Sequence, residues 1–395
     1  MNLWRMMADR LYKRGNTRHA GTRGRITGAG VALFLLMTVL SGCAGGGLRH
    51  ESWPGLLADD GVIYAANLER VQAFNTETGK LLWSYPDETQ KDQRPFLSTP
   101  VLAEDYGPHG LLLIAGYKDR TVYALSLGES RAERPDLLWT FAQATGQYVG
   151  SGVVADGKFI IGNGDGYVYA LNLNDGAPAW QFPTKDRVWA TPVVVGDTVY
   201  IASLDHRLYA VDLTTGVERW HIQMDGAIAG TPVHIDGALW VGDFSSTLSQ
   251  VDLATQQIVW TYTANDWLWA SPLADGTRLY FADVGGRVYA LDTATREILW
   301  NVDVDDTIRS RPALNADGGL LFVAGYRKGE LHTLETETGN KMSWGPEMDG
   351  RLPGDLVADG THLYTMPILV SERINAIELR TGRVAWSYPA TEQTK

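Results

Sequence analysis

The sequence holds a single cysteine, Cys43, in 395 residues. No internal disulfide can form, so stability must come from hydrogen-bonded ladders and side-chain packing. Basic charge is scarce as well. Lys and Arg number 34 against 46 Asp and Glu, a formal net charge of −12. That balance excludes binding to nucleic acid or anionic lipid through bulk charge. The apolar run at residues 31–40 is about half the length needed to cross a bilayer. Metal-ligand spacing is missing too: His206, His221, His234 and His332 fall at unlike positions. Asn163-Gly-Asp-Gly166 reads as a turn and not as a phosphate loop, because no helix follows it. In Asn301-Val-Asp-Val-Asp-Asp306, alternation puts Asp303 and Asp305 on one strand face. The glycine and distal glutamate of a calcium loop are lacking there, so the stretch reads as a solvated strand end. No metal site, catalytic triad or paired carboxylate is predicted.

What the chain does have is a tryptophan period. Trp83, Trp139, Trp180, Trp220, Trp260, Trp300, Trp344 and Trp386 are separated by 56, 41, 40, 40, 40, 44 and 42 residues. Repeats of about 40 residues with strand-like content are the mark of a β-propeller. Pro192, Pro232, Pro272 and Pro312 keep the same phase. Each copy divides into four short apolar runs. The first enters at a Thr-Pro step, where no ladder donor is missed. Val193-Val194-Val195 is apolar throughout and reads as an inner strand packed on both faces. Asp-Gly turns follow at Asp60, Asp156, Asp236, Asp275, Asp317 and Asp359, and are expected to be tight hairpins with positive φ at both residues.

The second run carries an aromatic residue: Tyr64, Phe159, Tyr200, Trp240, Tyr280, Phe322 or Tyr364. The fourth carries the periodic Trp. A small Ala in the third run leaves room for a neighbouring ring, and the indoles are expected to wedge between adjacent blades. The copies run over 52–86, 95–141, 149–183, 188–223, 228–262, 268–303, 308–348 and 351–388. The fold class is therefore all-β: an eight-bladed β-propeller of four-stranded antiparallel blades, occupying residues 52–388 with a short tail at 389–395. Insertions at 104–110 and 129–136 lengthen the second copy and map to surface loops. Radial repetition lets a chain of this length fold without one oversized core.

The amino-terminal segment has another character. Residues 1–25 carry seven Lys or Arg and one acid, Asp9. The short apolar core follows, then Leu40-Ser41-Gly42-Cys43. A basic segment, an apolar core and small residues make an export signal. Leu-Ser-Gly-Cys resembles a bacterial lipoprotein box, cleaved before Cys43. The resemblance implies a signal peptide over 1–42, a Cys43 thioether to diacylglycerol and a flexible tether over 43–51. Loss of residues 1–42 leaves 27 Lys and Arg against 45 Asp and Glu, about −18. Acyl chains, not a basic patch, would then hold the protein at a membrane. Export to the outer face of the cytoplasmic membrane or to the outer membrane is expected. Ala44 is compatible with outward sorting.

The lead-in Ala-x-Asp-x-x-Thr-Gly-x-x-x-Trp is matched in full at residues 210–220. Near matches stand at 73–83, 376–386 and 290–300, with Asn75, Glu378 and Arg296 as the departures. This pattern resembles the repeat of pyrroloquinoline-quinone (PQQ) propellers and extends in weaker copies over residues 52–388. Members include quinoprotein dehydrogenases, sensor domains and BamB-like outer-membrane assembly lipoproteins. An eight-copy lipoprotein without a cytochrome domain is most similar to the last. That resemblance implies a scaffold with envelope-protein partners, no nucleic acid and a monomeric state. Dehydrogenase members use adjacent cysteines under the quinone and a Glu/Asn/Asp set on calcium. No Cys-Cys exists here, so no bound PQQ or calcium is expected, and a quinone-dependent oxidoreductase is the alternative. BamB-like chains start on a Trp-bearing outer strand and close the ring by mixing termini. Here the last copy runs through its own Trp386, so closure is expected in another phase.

Loops before each first strand should converge on one end of the central channel. Three residues before the prolines stand Leu97, Trp189, Ala229, Trp269 and Arg309. Asp186, Arg187, Asp266, Trp267, Asp305, Asp306, Arg311 and Arg351 lie near them. Trp and Arg outside the structural period mark a candidate ligand surface. A mouth of Trp189, Trp267, Trp269, Arg309, Arg311 and Arg351 would stack on a sugar ring or clamp a peptide. The same rings would equally serve to plug the channel.

Overall fold

The computed structural model describes residues 55–67, 70–86, 96, 98–348, 350–368 and 374–389. The segment expected to be a lipoprotein signal, with Cys43, and Leu97 lie outside them. Thirty-two strands, from β1 (Gly55–Asp59) to β32 (Val384–Tyr388), form eight separate four-stranded sheets. All pairings within the sheets are antiparallel, as in the blade Val193–Val195, Thr198–Ala202, Arg207–Asp212 and Glu218–Gln223. No helix occurs among the described residues. First strands of neighbouring blades touch at six of the eight joints, including that between blades 1 and 8. The molecule is an eight-bladed β-propeller.

Every blade is one contiguous stretch of chain, so no sheet mixes the two ends of the sequence. Ring closure rests on packing. The Trp386 indole Nε1 donates to Thr76 O at 2.7 Å, and Phe74 lies 4.8 Å from Tyr388, ring centre to ring centre. Near the axis, hydrogen bonds join successive blades. Thr191 N donates to Thr231 Oγ1 (3.0 Å), Thr231 N to Ser271 Oγ (2.9 Å) and Arg311 N to Asp355 Oδ1 (2.7 Å).

The periodic indoles occupy the joints. Trp83, Trp139, Trp180, Trp300 and Trp344 donate Nε1 to a carbonyl in the third hairpin of the following blade: Arg131, Leu173, Leu213, Thr336 and Leu379. At that hairpin, except in blade 2 where Trp83 docks, a left-handed glycine lies under the ring. A Cβ on Gly176 would sit 2.4 Å from Trp139, and one on Gly216 would sit 2.7 Å from Trp180. The Thr-Gly of the repeat therefore does two jobs: it supplies positive φ, and it leaves the ring its seat. Burying an indole contributes roughly 4–6 kcal/mol at most.

Two joints differ. Gln256 and Arg296 stand at the glycine position with φ of 58° and 64°. The rings they would meet, Trp220 and Trp260, are half-buried and donate no indole hydrogen bond among the described residues.

Within a blade, the Trp shares a row with the small residue of the third strand and the aromatic residue of the second. Tyr64, Ala73 and Trp83 are in register, as are Tyr280, Ala290 and Trp300. The Ala between them lets the outer rings meet at 5.9 and 6.1 Å. A bulge follows the Ala in each of these blades.

Four expectations are corrected. Phe159 is one residue out of register: Ile160 shares the row of Ala170 and Trp180, while Phe159 packs towards Trp139 on the opposite face. Both positions are apolar, and a one-residue slip exchanges the faces. The strand Val193–Val195 is half-exposed along its length, because the innermost strand borders the axis and is not covered on both sides. The Asp-Gly turns at 60, 156 and 236 have positive φ at both residues. At Asp275, Asp317 and Asp359 only the glycine does, since these loops are longer. There Asp275 Oδ1 accepts Arg278 N, and Asp359 Oδ1 accepts His362 N. Finally, Trp344 is not in a strand. The outer strand of blade 7 stops at Lys341–Met342, because Gly345 turns the chain at φ 91° and Pro346 has no N–H to give a ladder. The ring still stacks 4.6 Å from Phe322.

Two tests follow from these joints. Gly216→Ala should lower stability by about 1–3 kcal/mol, since it strains the backbone and pushes on Trp180. Gln256→Gly should instead raise it by up to about 1 kcal/mol by removing a left-handed non-glycine residue; thermal melts of both variants check the opposite signs. The turn carboxylates add a pH dependence. Asp212 is held well below the ordinary carboxylate range, chiefly by Arg219 and then by Thr215. The backbone N–H of Thr255 does the same for Asp252, that of Thr295 for Asp292, and the Thr381 hydroxyl for Glu378. Depressed pKa values in the folded state give stability that is full above the ordinary carboxylate range and lost as pH falls through it. The melting temperature should hold from pH 7 to 5 and drop below pH ~4.

Candidate functional site

Second hairpins and inter-blade loops share one end of the propeller, here called the mouth. Backbone bonds tie them together: Leu204 N to Arg187 O (3.0 Å), Phe244 N to Ala227 O (2.9 Å), Val284 N to Trp267 O (2.9 Å) and Tyr326 N to Thr307 O (2.7 Å). Carboxylates in the second hairpins of blades 3, 4 and 6 complete the clamp. Asp165 accepts from Thr145 N at 2.9 Å and Tyr169 Oη at 2.8 Å. Asp205 accepts from Lys185 N at 2.8 Å and Tyr209 Oη at 2.6 Å. Asp283 accepts from Tyr289 Oη at 2.8 Å. Burial, then the bond to Asp205, pushes Tyr209 up to about 12, so it stays a neutral donor. In blade 7 the carboxylate comes from the loop instead: buried Asp306 accepts the N–H groups of Thr307, Arg327 and Lys328. These bonds hold the mouth loops in one geometry. Sequence reading missed the clamp, although Asp four residues before Tyr recurs at 119/123, 165/169 and 205/209.

On this frame a row of rings and guanidinium groups crosses blades 4 to 8. Trp189 lies 5.9 Å from Trp269. Phe244 stacks on Trp269 at 5.2 Å and on Trp267 at 5.4 Å. The Arg309 guanidinium sits 5.3 Å from the Trp269 ring and 4.2 Å from Tyr326. Arg351 covers the same tyrosine at 5.4 Å. Trp189, Trp267, Trp269, Phe244, Arg309 and Arg351 are half-buried, while Tyr326 is buried beneath the two arginines. Five of the six residues read from the sequence are thus brought together. The sixth, Arg311, has no ring contact: two residues past Arg309, it is exposed and bonds Asp355 through its backbone. Phe244 and Tyr326 were not foreseen. They sit in second hairpins, where their only signal is an aromatic residue off the tryptophan period.

Such a surface offers faces for apolar groups and paired cations for acceptors. The acids near it are committed elsewhere. Asp305 bonds Lys328 Nζ at 2.8 Å, and Asp303 lies 4.0 Å from Arg287. No cluster of three or more His, Cys, Asp or Glu that could hold a metal ion occurs among the described residues. None of their helices is long and apolar enough to cross a membrane.

Comparison with known proteins adds the family. No curated protein matches the sequence. Among solved structures, the crystal structure of BamB from Moraxella catarrhalis superposes with a TM-score of 0.64 at 20% identity, over 81% of this chain and 95% of that one. At that identity the likeness is one of fold. The family profile described as outer membrane protein assembly factor BamB matches residues 130–231, 226–342 and 285–395. These segments run over more than half of the sequence, and the chain belongs to that family.

Proposed function

We propose that this protein is an exported, lipid-anchored scaffold that joins envelope proteins during outer membrane protein assembly. The family match across residues 130–395 carries the reading. In it, Cys43 holds the diacylglycerol and the propeller, over residues 52–388, does the binding. Trp189, Trp267, Trp269, Arg309 and Arg351 form the centre of the partner contact. Trp and Arg are the residue types that dominate such contacts, and loops already clamped by buried bonds lose little freedom on docking. The sequence offers no pair of cysteines for a quinone centre, which favours binding over turnover. The protein acts as a monomer.

Affinity capture from detergent-solubilised envelopes, with the full chain as bait, tests the proposal. Recovery of outer membrane protein assembly components is expected, at least tenfold weaker for Trp267→Ala with Arg309→Ala. Capture no different from empty resin would end the scaffold reading. Dye reduction on addition of PQQ and calcium would replace it with the oxidoreductase. Separately, palmitate labelling and the membrane fraction should both vanish in Cys43→Ala, and label retained by that variant would remove the anchor.

A further inference from the structure

The first and third hairpins of every blade share the end opposite the mouth. Both favour acids there, because a turn carboxylate bonds the N–H groups that the turn leaves open. Eight copies add up. Between the strand bounds these turns hold fifteen Asp and Glu against six Lys and Arg. Strand-end carboxylates that bond turn N–H groups, such as Asp252 and Asp292, add to these and are pulled below the ordinary carboxylate range.

A second, independent feature lies beside them. Of the nine most exposed large apolar side chains, eight sit at the start of outer strands, next to the third hairpins. In blades 4 to 6 they are Val217 (63% exposed), Ile258 (38%), Val259 (43%) and Leu299 (47%). A third feature falls on the same arc: the half-exposed Trp220 and Trp260, at the two joints where Gln256 and Arg296 replace glycine. Apolar groups gathered beside one sign of charge mark an interaction surface.

We propose that the rim of blades 4 to 6 is a second docking surface, apart from the mouth, for a cationic amphipathic segment of a protein partner. Val217, Val259, Leu299 and Trp260 take its apolar side chains, and Asp236 and Glu297 face its lysines or arginines. Charge selects this occupant. An anionic membrane is repelled by the acidic turns, and so is a second copy of the same rim. Two of the local cations are already tied down. Arg219 bonds Asp197 at 2.7 Å and Asp212 at 2.6 Å, and Arg278 bonds Glu337 at 2.5 Å. Arg296 is the remaining base of the arc, and the partner's charge must be placed around it.

Fluorescence anisotropy with an 18-residue amphipathic Lys/Leu peptide tests the surface, with a Glu/Leu peptide of the same pattern as control. The Lys/Leu peptide is expected to bind the full chain and to shift its tryptophan emission. Val259→Ser with Leu299→Ser should weaken binding at least tenfold. Asp236→Asn with Glu297→Gln should weaken it several-fold and flatten its salt dependence. Glu104→Gln with Asp105→Asn, on the same end of blade 2, should leave it unchanged. Equal binding to all three variants, or equal binding of the Glu/Leu peptide, would overturn the proposal. Thermal melts confirm that each variant is folded, and the mouth reading stands or falls separately in the envelope capture.

Discussion

One kind of contact recurs around the ring: an indole at the outer edge of a blade packed against the third hairpin of the next, in most joints on a left-handed glycine. Its demands spread through the sequence. The turn must be glycine, or the ring meets a Cβ. In most blades the third strand carries a small Ala under the meeting rings, although in blade 5 Trp240 and Trp260 meet at 5.6 Å across Gln250. The bulge after that small residue lies where the Trp row ends. Where Gln256 and Arg296 break the glycine rule, Trp220 and Trp260 lose their hydrogen bond and part of their cover. The repeat motif is thus the imprint of a joint, and its departures show which joints are weaker.

Much of this was legible because tryptophan is rare and bulky, so its period survives drift elsewhere. Blade number followed from it. Register was less legible. Phe159 and Ile160 are both apolar neighbours, and nothing local says which one faces Trp180. Turn type was half legible, since Asp-Gly suits a two-residue hairpin at Asp156 and a longer loop at Asp275. Trp344 kept its seat while its backbone left the sheet, because a ring can be held by Phe322 and the Leu379 carbonyl without a strand beneath it. At the mouth, the structure brings five of the six off-period Trp and Arg residues together. Arg309 lies over the Tyr326 ring, while Arg311 two residues on is exposed and donates its backbone N–H to Asp355, a difference that spacing alone does not carry.

Aspartate has opposite uses at the two ends. At the mouth, Asp243, Asp283 and Asp306 are buried and spend their oxygens on hairpin and loop donors. Their charge organises backbone and is hidden from solvent. At the other end, turn carboxylates such as Asp252 and Asp292 bond their own hairpins and are only half-buried, while Asp197 and Glu337 bond arginines. The same side chain thus makes one end rigid and aromatic, and the other acidic and fringed with aliphatic groups. Two chemically distinct ends suit a protein that holds more than one neighbour.

Because each sheet is cut from one uninterrupted piece of sequence, no strand of one blade completes another. A single nick in any connecting loop would sever a linker and leave all eight ladders intact. The joint between Trp386 and Gly79 already functions without a peptide bond across it. The propeller is therefore open to circular permutation, with new termini tolerated at any of its other joints.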